Sequence, residues 1–118
     1  MATFSVTDAM VSWIGSMGYS ASTRPNPGGP KPFVTVERTG GGMASMVDHP
    51  IMAVQAWADT EEEAEALANE LRLRLVTENP PGGIHSVRVN AGPYAFFDEA
   101  TRLARYQLAL DVACQLSI

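Results

Sequence analysis

The chain has few of the residues on which secreted, membrane and nucleic-acid-binding proteins depend. It has one cysteine, Cys114, among 118 residues, so no disulfide can form within the chain. Eight lysines and arginines oppose thirteen acidic residues, and a net charge of −5 does not favour binding to phosphates. No run approaches the roughly 18 apolar residues of a membrane-spanning helix, and the first ten residues do not resemble a signal peptide. These absences predict a single soluble domain without disulfides and without strong affinity for DNA.

Side chains that could perform catalysis or bind a metal are also sparse. The sequence has two histidines, His49 and His85. Asp48 adjoins the first, but a metal site would need a third ligand at suitable spacing, and the sequence supplies none. Cys114 falls on the apolar side of an alternating segment, where a thiol behaves as a small hydrophobic group without an activating base. The four glutamates within 61–65 are explained by the negative charge that the first turn of a helix favours. We therefore expect no catalytic residue, no metal and no cofactor.

Two segments have the apolar periodicity of helices. Thr7 is a suitable N-cap for a short helix over residues 8–17, which Gly18 would end. The second helix has the stronger signals, because Thr60 and Glu63 form a capping box and an apolar stripe follows over 61–77.

The other regular segments alternate between apolar and polar residues, as strands do. Strands are predicted over 33–38, 51–58, 84–91 and 104–117. Gly92-Pro93 is expected to end the third of these strands, and His49 is expected in the turn before the second. The element order predicts an α+β fold over residues 1–118, with a mostly antiparallel sheet packed by the long helix, about 61–77, plus the short N-terminal helix, about 8–17.

Three segments outside these elements are candidates for contacts with other proteins. Residues 24–32 contain four prolines and two glycines, which exclude regular structure. A glycine-rich loop is predicted over 39–47, where two methionines suit adaptable contacts, and residues 94–97 form an aromatic cluster. A merely connecting or disordered role is the alternative for the first two. The candidate interface residues are Arg24, Asn26, Lys31, Met43, Met46, Asp48, His49, Tyr94, Phe96 and Phe97.

The order of short phrases resembles that of a known family. The strand 33–38 is followed by Asp48-His49-Pro50, then by a strand that contains Val54-Gln55-Ala56-Trp57-Ala58, and then by the capped acidic helix. Over about residues 30–118 this pattern resembles the tail terminator (tail completion) proteins of long-tailed bacteriophages, which include the minor tail protein U-like group.

This resemblance implies a structural virion protein and not an enzyme. Such proteins close the tail tube at its set length, form a homo-hexameric ring on the major tail tube protein and offer a surface to the head-completion (stopper) protein. DNA passes through the ring without specific binding, and the protein, assembled in the host cytoplasm, resides in the neck of the virion. Two alternatives stay open: a head–tail joining or stopper protein of a phage, and a small α+β ligand-binding domain.

Overall fold

The computed structural model describes residues 4–116 and has the predicted α+β architecture. The helices are α1 (Val6–Ser16) and α2 (Glu61–Thr77), and the strands are β1 (Ala21–Ser22), β2 (Phe33–Ala44), β3 (Val47–Ala58), β4 (Ile84–Ala95) and β5 (Ala104–Cys114). The strands form one sheet in the order β1-β2-β3-β5-β4, antiparallel except for the short β1–β2 pair. In the described part of the chain, no helix is long and apolar enough to cross a membrane.

Both helices begin at a side chain that caps free backbone N–H groups. As predicted, Thr60 Oγ1 accepts a hydrogen bond of 3.2 Å from the backbone N–H of Glu63, and α2 follows. The predicted cap Thr7 is wrong for α1. Ser5 Oγ instead accepts a hydrogen bond of 3.2 Å from the backbone N–H of Asp8. The helix therefore begins two residues earlier than predicted, which adds a buried valine to its core side.

The predicted loop over residues 39–47 is wrong, because β2 and β3 form one long hairpin. Their pairing extends from Phe33 opposite Trp57 to Ala44 opposite Val47, and the register shifts once, between Arg38 and Gly40. The glycines that suggested a break lie inside β2, since continuous cross-strand pairing outweighs their weak preference for strands.

The tip of this hairpin is a two-residue turn. Ser45 and Met46 have φ angles of 52° and 62°, the left-handed conformation that suits the twist of a hairpin. Within the hairpin, a Cβ at Gly41 would lie 2.0 Å from the backbone oxygen of His49, so only glycine permits this approach. His49 lies inside β3 and not in the predicted turn before it, and the next residue, Pro50, is buried.

β4 also continues past its predicted end. Gly92-Pro93 was expected to stop it, but the strand runs on to Ala95 with three shifts of register against β5. A Cβ at Gly92 would lie 2.4 Å from the backbone oxygen of Gln107, so only glycine allows β4 to approach β5 this closely. β4 is an edge strand, where bulges and a proline are tolerated. β5 ends at Cys114, and the predicted end at 117 lies outside the described residues.

The two faces of the sheet differ. One face, which we call the covered face, packs against both helices in a single apolar cluster. That cluster includes Val34, Val36, Met52, Val54, Leu108 and Leu110 from the strands, with Met10, Ile14, Leu71 and Leu75 from the helices. The alternate residues of the same strands form the other face, which we call the open face. Within residues 4–116 both helices lie on the covered face, so the open face carries none.

Candidate interaction surfaces

A chain of hydrogen bonds crosses the open face from strand to strand. Trp57 Nε1 donates to Thr35 Oγ1 at 2.8 Å, and Thr35 Oγ1 donates to Gln55 Oε1 at 2.7 Å. Gln55 Nε2 donates to Gln107 Oε1 at 2.8 Å, and Gln107 Nε2 donates to the hydroxyl of Tyr94 at 2.7 Å. The register makes these bonds possible, because Gln55 lies opposite Thr35 in β2 and opposite Gln107 in β5. Such a connected network fixes the side chains of the face in one arrangement.

At one end of the open face, a guanidinium group lies between two aromatic rings. Arg105 Cζ is 4.9 Å from the ring centroid of Trp57 and 4.5 Å from that of Phe96. Trp57 in turn stacks on Phe33, with ring centroids 5.6 Å apart. Arg105 Nε is buried and has no hydrogen-bond partner among the described residues. The rings therefore hold the cation in position while part of its capacity to donate hydrogen bonds is unused.

At the opposite end, the open face has a shallow groove of about 570 Å³. Its walls include Ile51 of β3, Ser86 of β4 and Ala113 of β5. Arg88 Nη2 lies 3.7 Å from Asp111 Oδ2 at the rim, and the Arg88 side chain is 84% exposed. The polar groups therefore point to water and do not converge in an enclosed pocket, which a small-molecule site would require.

The ten predicted interface residues fall into two groups at opposite ends of the sheet. The hairpin carries Met43, Met46, Asp48 and His49; the other end carries Arg24, Asn26, Lys31, Tyr94, Phe96 and Phe97. The loop 24–32 belongs to the second end because it leads into Phe33, which pairs with Trp57. We call the two ends the hairpin pole and the aromatic pole. The longest dimension of the domain is 42 Å.

Two methionines are exposed at the hairpin pole, and an ion pair links the two strands of the hairpin. Met43 and Met46 are 64% and 74% exposed. Arg38 joins β2 to β3 through hydrogen bonds of 2.7 Å and 2.8 Å to the two carboxylate oxygens of Asp48. These bonds are the main reason that the pKa of Asp48 is lowered. Asp48 thus has a partner within the hairpin, whereas His49 is exposed on the open face.

The aromatic pole exposes three rings beside the proline-rich loop. Tyr94 and Phe96 have ring centroids 6.2 Å apart, and Phe97 is 55% exposed. In the neighbouring loop, Lys31 Nζ donates to the backbone oxygen of Pro27 at 2.7 Å. This bond ties one end of the proline-rich loop to its middle.

The groups considered for chemistry are far apart or buried. Cys114 is fully buried, and burial raises the pKa of its thiol, which keeps the sulfur protonated. No group of three His, Cys, Asp or Glu side chains between residues 4 and 116 has a geometry that could hold a metal ion.

The sequence did not identify the residues that organise the open face. Thr35, Gln55, Gln107 and Arg105 occupy the polar positions of their strands, which the alternation does indicate. Their connection depends on the strand order, in which β5 lies between β3 and β4. The comparisons with known proteins add no assignment: no protein-family model matches this chain, and no curated protein matches it significantly.

Proposed function

We propose that this chain is a structural subunit of a long-tailed phage that caps the tail tube, ends tail elongation and joins the tail to the head. The observation that carries the proposal is the separation of two exposed apolar groups at opposite ends of the domain. A terminator must bind the tube protein on one side and the head-completion protein on the other. Exposed methionines at one pole and exposed aromatic rings at the other would supply two different contacts.

The charge of the chain is compatible with a ring around DNA. Each subunit carries −5, so six copies would carry 6 × −5 = −30 before counter-ions bind. A negative lumen repels the phosphate backbone, and DNA could pass through such a ring without adhering to it.

The two alternatives predict different properties. A small ligand-binding domain needs an enclosed pocket with converging polar groups, and the groove beside Ile51 is shallow and open at its charged rim. A stopper protein joins heads to finished tails, so its loss leaves tails of normal length. Loss of a terminator leaves tails that are too long.

The decisive experiment is electron microscopy of particles produced without this protein and complemented with variants. Without the protein we expect overlong, headless tails. Two double variants then test the poles separately: Met43→Ser with Met46→Ser, and Phe96→Ser with Phe97→Ser. Each variant is the control for the other, because both exchange two exposed apolar residues for serine.

We expect one variant to give overlong tails and the other to give tails of normal length that lack heads. This pair of phenotypes would also identify which pole contacts the tube. Normal virions in the absence of the protein would reject the proposal, and headless tails of normal length in its absence would favour a stopper.

A further inference from the structure

The outer side of α2 presents three kinds of surface in sequence. Glu62, Ala66, Asn69 and Leu73 follow one another at helical spacing on the side opposite the buried stripe. The first turn is acidic, the middle is small or polar, and the last turns are apolar, with Leu73 63% exposed and Val76 also exposed. Within the described residues, the salt bridges involve other carboxylates, so the acidic turn has no cation partner.

The open face presents a matching series. The guanidinium of Arg105 lies at one end, between Trp57 and Phe96. The half-buried amide of Gln107 occupies the middle, beside the buried Gln55. The groove with exposed Ile51 and half-buried Ala113 lies at the other end. Cation, amides and apolar groove are the groups that would bind an acidic, a polar and an apolar surface in turn.

The two series also run in the same direction. β3 ends at Ala58, which pairs with Ala104 at the Arg105 end, and α2 begins three residues later. After α2 the chain enters β4 at Ile84, which pairs with Cys114 at the groove end. The acidic turn of α2 thus lies at the Arg105 end of the domain and its apolar turns at the groove end, on the opposite side of the sheet.

The lengths of the two series are similar. Eleven residues of helix separate Glu62 from Leu73, about 16 Å at the usual rise. Six residues of strand separate Trp57 from Ile51, about 20 Å. A second copy placed over the open face would therefore bring similarly spaced, complementary groups together.

We propose that the outer side of α2 in one copy packs on the open face of the next copy, so that the copies assemble head to tail. The carboxylates around Glu62 meet Arg105, Asn69 meets the amide of Gln107, and Leu73 enters the groove beside Ile51. The two contacting surfaces are different, so each copy has a free surface for a further copy. Such a contact closes into a ring when the rotation between copies is a whole fraction of a turn. The inference rests on the proposed function only in requiring that the chain assembles with itself.

Cysteine cross-linking tests the register directly, because the single native cysteine is buried. The variants Leu73→Cys and Ile51→Cys are purified separately, mixed and oxidised. We expect cross-linked dimers in the mixture, none from either variant alone, and a ladder of oligomers from the double variant. Leu73→Cys mixed with Met46→Cys, which is exposed at the hairpin tip, is the matched control and should not cross-link. Dimers from Leu73→Cys alone, or equal cross-linking in the control, would overturn the inference.

Charge reversal tests the other end of the contact. Arg102, an exposed residue three positions before Arg105, adds a second cation at this end of the domain. Glu62→Lys with Glu65→Lys, and separately Arg102→Glu with Arg105→Glu, should each weaken self-association roughly tenfold or more, because like charges then meet. An equimolar mixture should regain assembly, since both junctions of an alternating oligomer again pair opposite charges. Arg105 also contacts two rings, so the exposed Arg102→Glu variant is measured alone. It should weaken association without changing the circular dichroism spectrum.

The outcomes separate this inference from the proposed function. Wild-type protein that stays monomeric at all concentrations and on tail tubes would reject both. Wild-type protein that assembles, while neither cross-linking nor charge reversal behaves as described, would reject only the contact between α2 and the open face.

Discussion

The covered and open faces of the sheet are built from alternate residues of the same four long strands, yet their side chains are held by different interactions. On the covered face, Val54 and Leu108 pack with Leu71 of α2 in a continuous apolar cluster. On the open face, the neighbouring positions carry Gln55 and Gln107, which are joined by hydrogen bonds. The covered face gains stability from the apolar area removed from water. The open face has only a small apolar cluster of Phe33, Trp57 and Leu103. Its middle is joined by directional bonds, which contribute less net stability but fix one arrangement of the side chains.

The largest difference in the free energy of unfolding should appear between a buried and an exposed position of the same helix, α2. Leu71→Ala removes a fully buried side chain and should lower the free energy of unfolding by about 2–5 kcal/mol. Leu73→Ala on the outer side of α2 should change it by no more than about 0.5 kcal/mol. Urea denaturation of dilute protein measures both, and similar losses would mean that the two sides of α2 are not as different as their burial indicates.

The hydrogen-bonded network should show an intermediate effect. Thr35→Val keeps the shape of the side chain but leaves Trp57 Nε1 and Gln55 Oε1 without their partner, at a cost of about 1–3 kcal/mol. Thr35→Ser keeps the hydroxyl and loses one methyl group, at a cost of about 0.8 kcal/mol. If valine proves no worse than serine in urea denaturation, the bonds of the open face do not stabilise the fold.

The smallest effect should be a pH dependence of the free energy of unfolding, which differs between an ion pair on the covered face and one on the open face. The pKa of Asp48 is lowered in the fold, first of all by its hydrogen bonds with Arg38. The stabilisation by this pair is therefore present above the unfolded carboxyl pKa of about 3.9 and is lost as the pH falls through the lower folded value. Asp48→Asn should cost on the order of 1 kcal/mol at pH 7 and remove that part of the acid sensitivity.

Asp111→Asn on the open face is the matched control for this prediction. Its ion pair with Arg88 is longer, 3.7 Å, and more exposed. The substitution should change the free energy of unfolding by less than Asp48→Asn does, both at pH 7 and at pH 3. Equal effects of the two substitutions would show that the closer, better shielded geometry of the Arg38–Asp48 pair adds nothing.

The sequence predicted the elements that depend on local patterns and missed the contacts that depend on the pairing of strands. α2 was predicted with its bounds and its cap, because Thr60, Glu63 and the apolar stripe are neighbours along the chain. The hairpin was missed because Gly40 to Gly42 favour a loop locally, and only the partner strand β3 makes them part of a sheet. The two poles could be anticipated as separate loops, but the network that includes Gln55 and Gln107 joins residues 52 positions apart. Such contacts follow from the strand order, which no single segment encodes.

The two tryptophans stand on different sides of the sheet. Trp13 belongs to the apolar cluster of the covered face, and Trp57 lies under Arg105 on the open face. Each indole is nearly buried, but one is surrounded by aliphatic groups and the other by a guanidinium and a hydrogen-bonded hydroxyl. The protein therefore contains one intrinsic fluorophore for each layer. Variants that retain a single indole, Trp13→Phe or Trp57→Phe, would allow a spectrometer to follow the helix layer and the open face separately during unfolding or assembly, without an added dye.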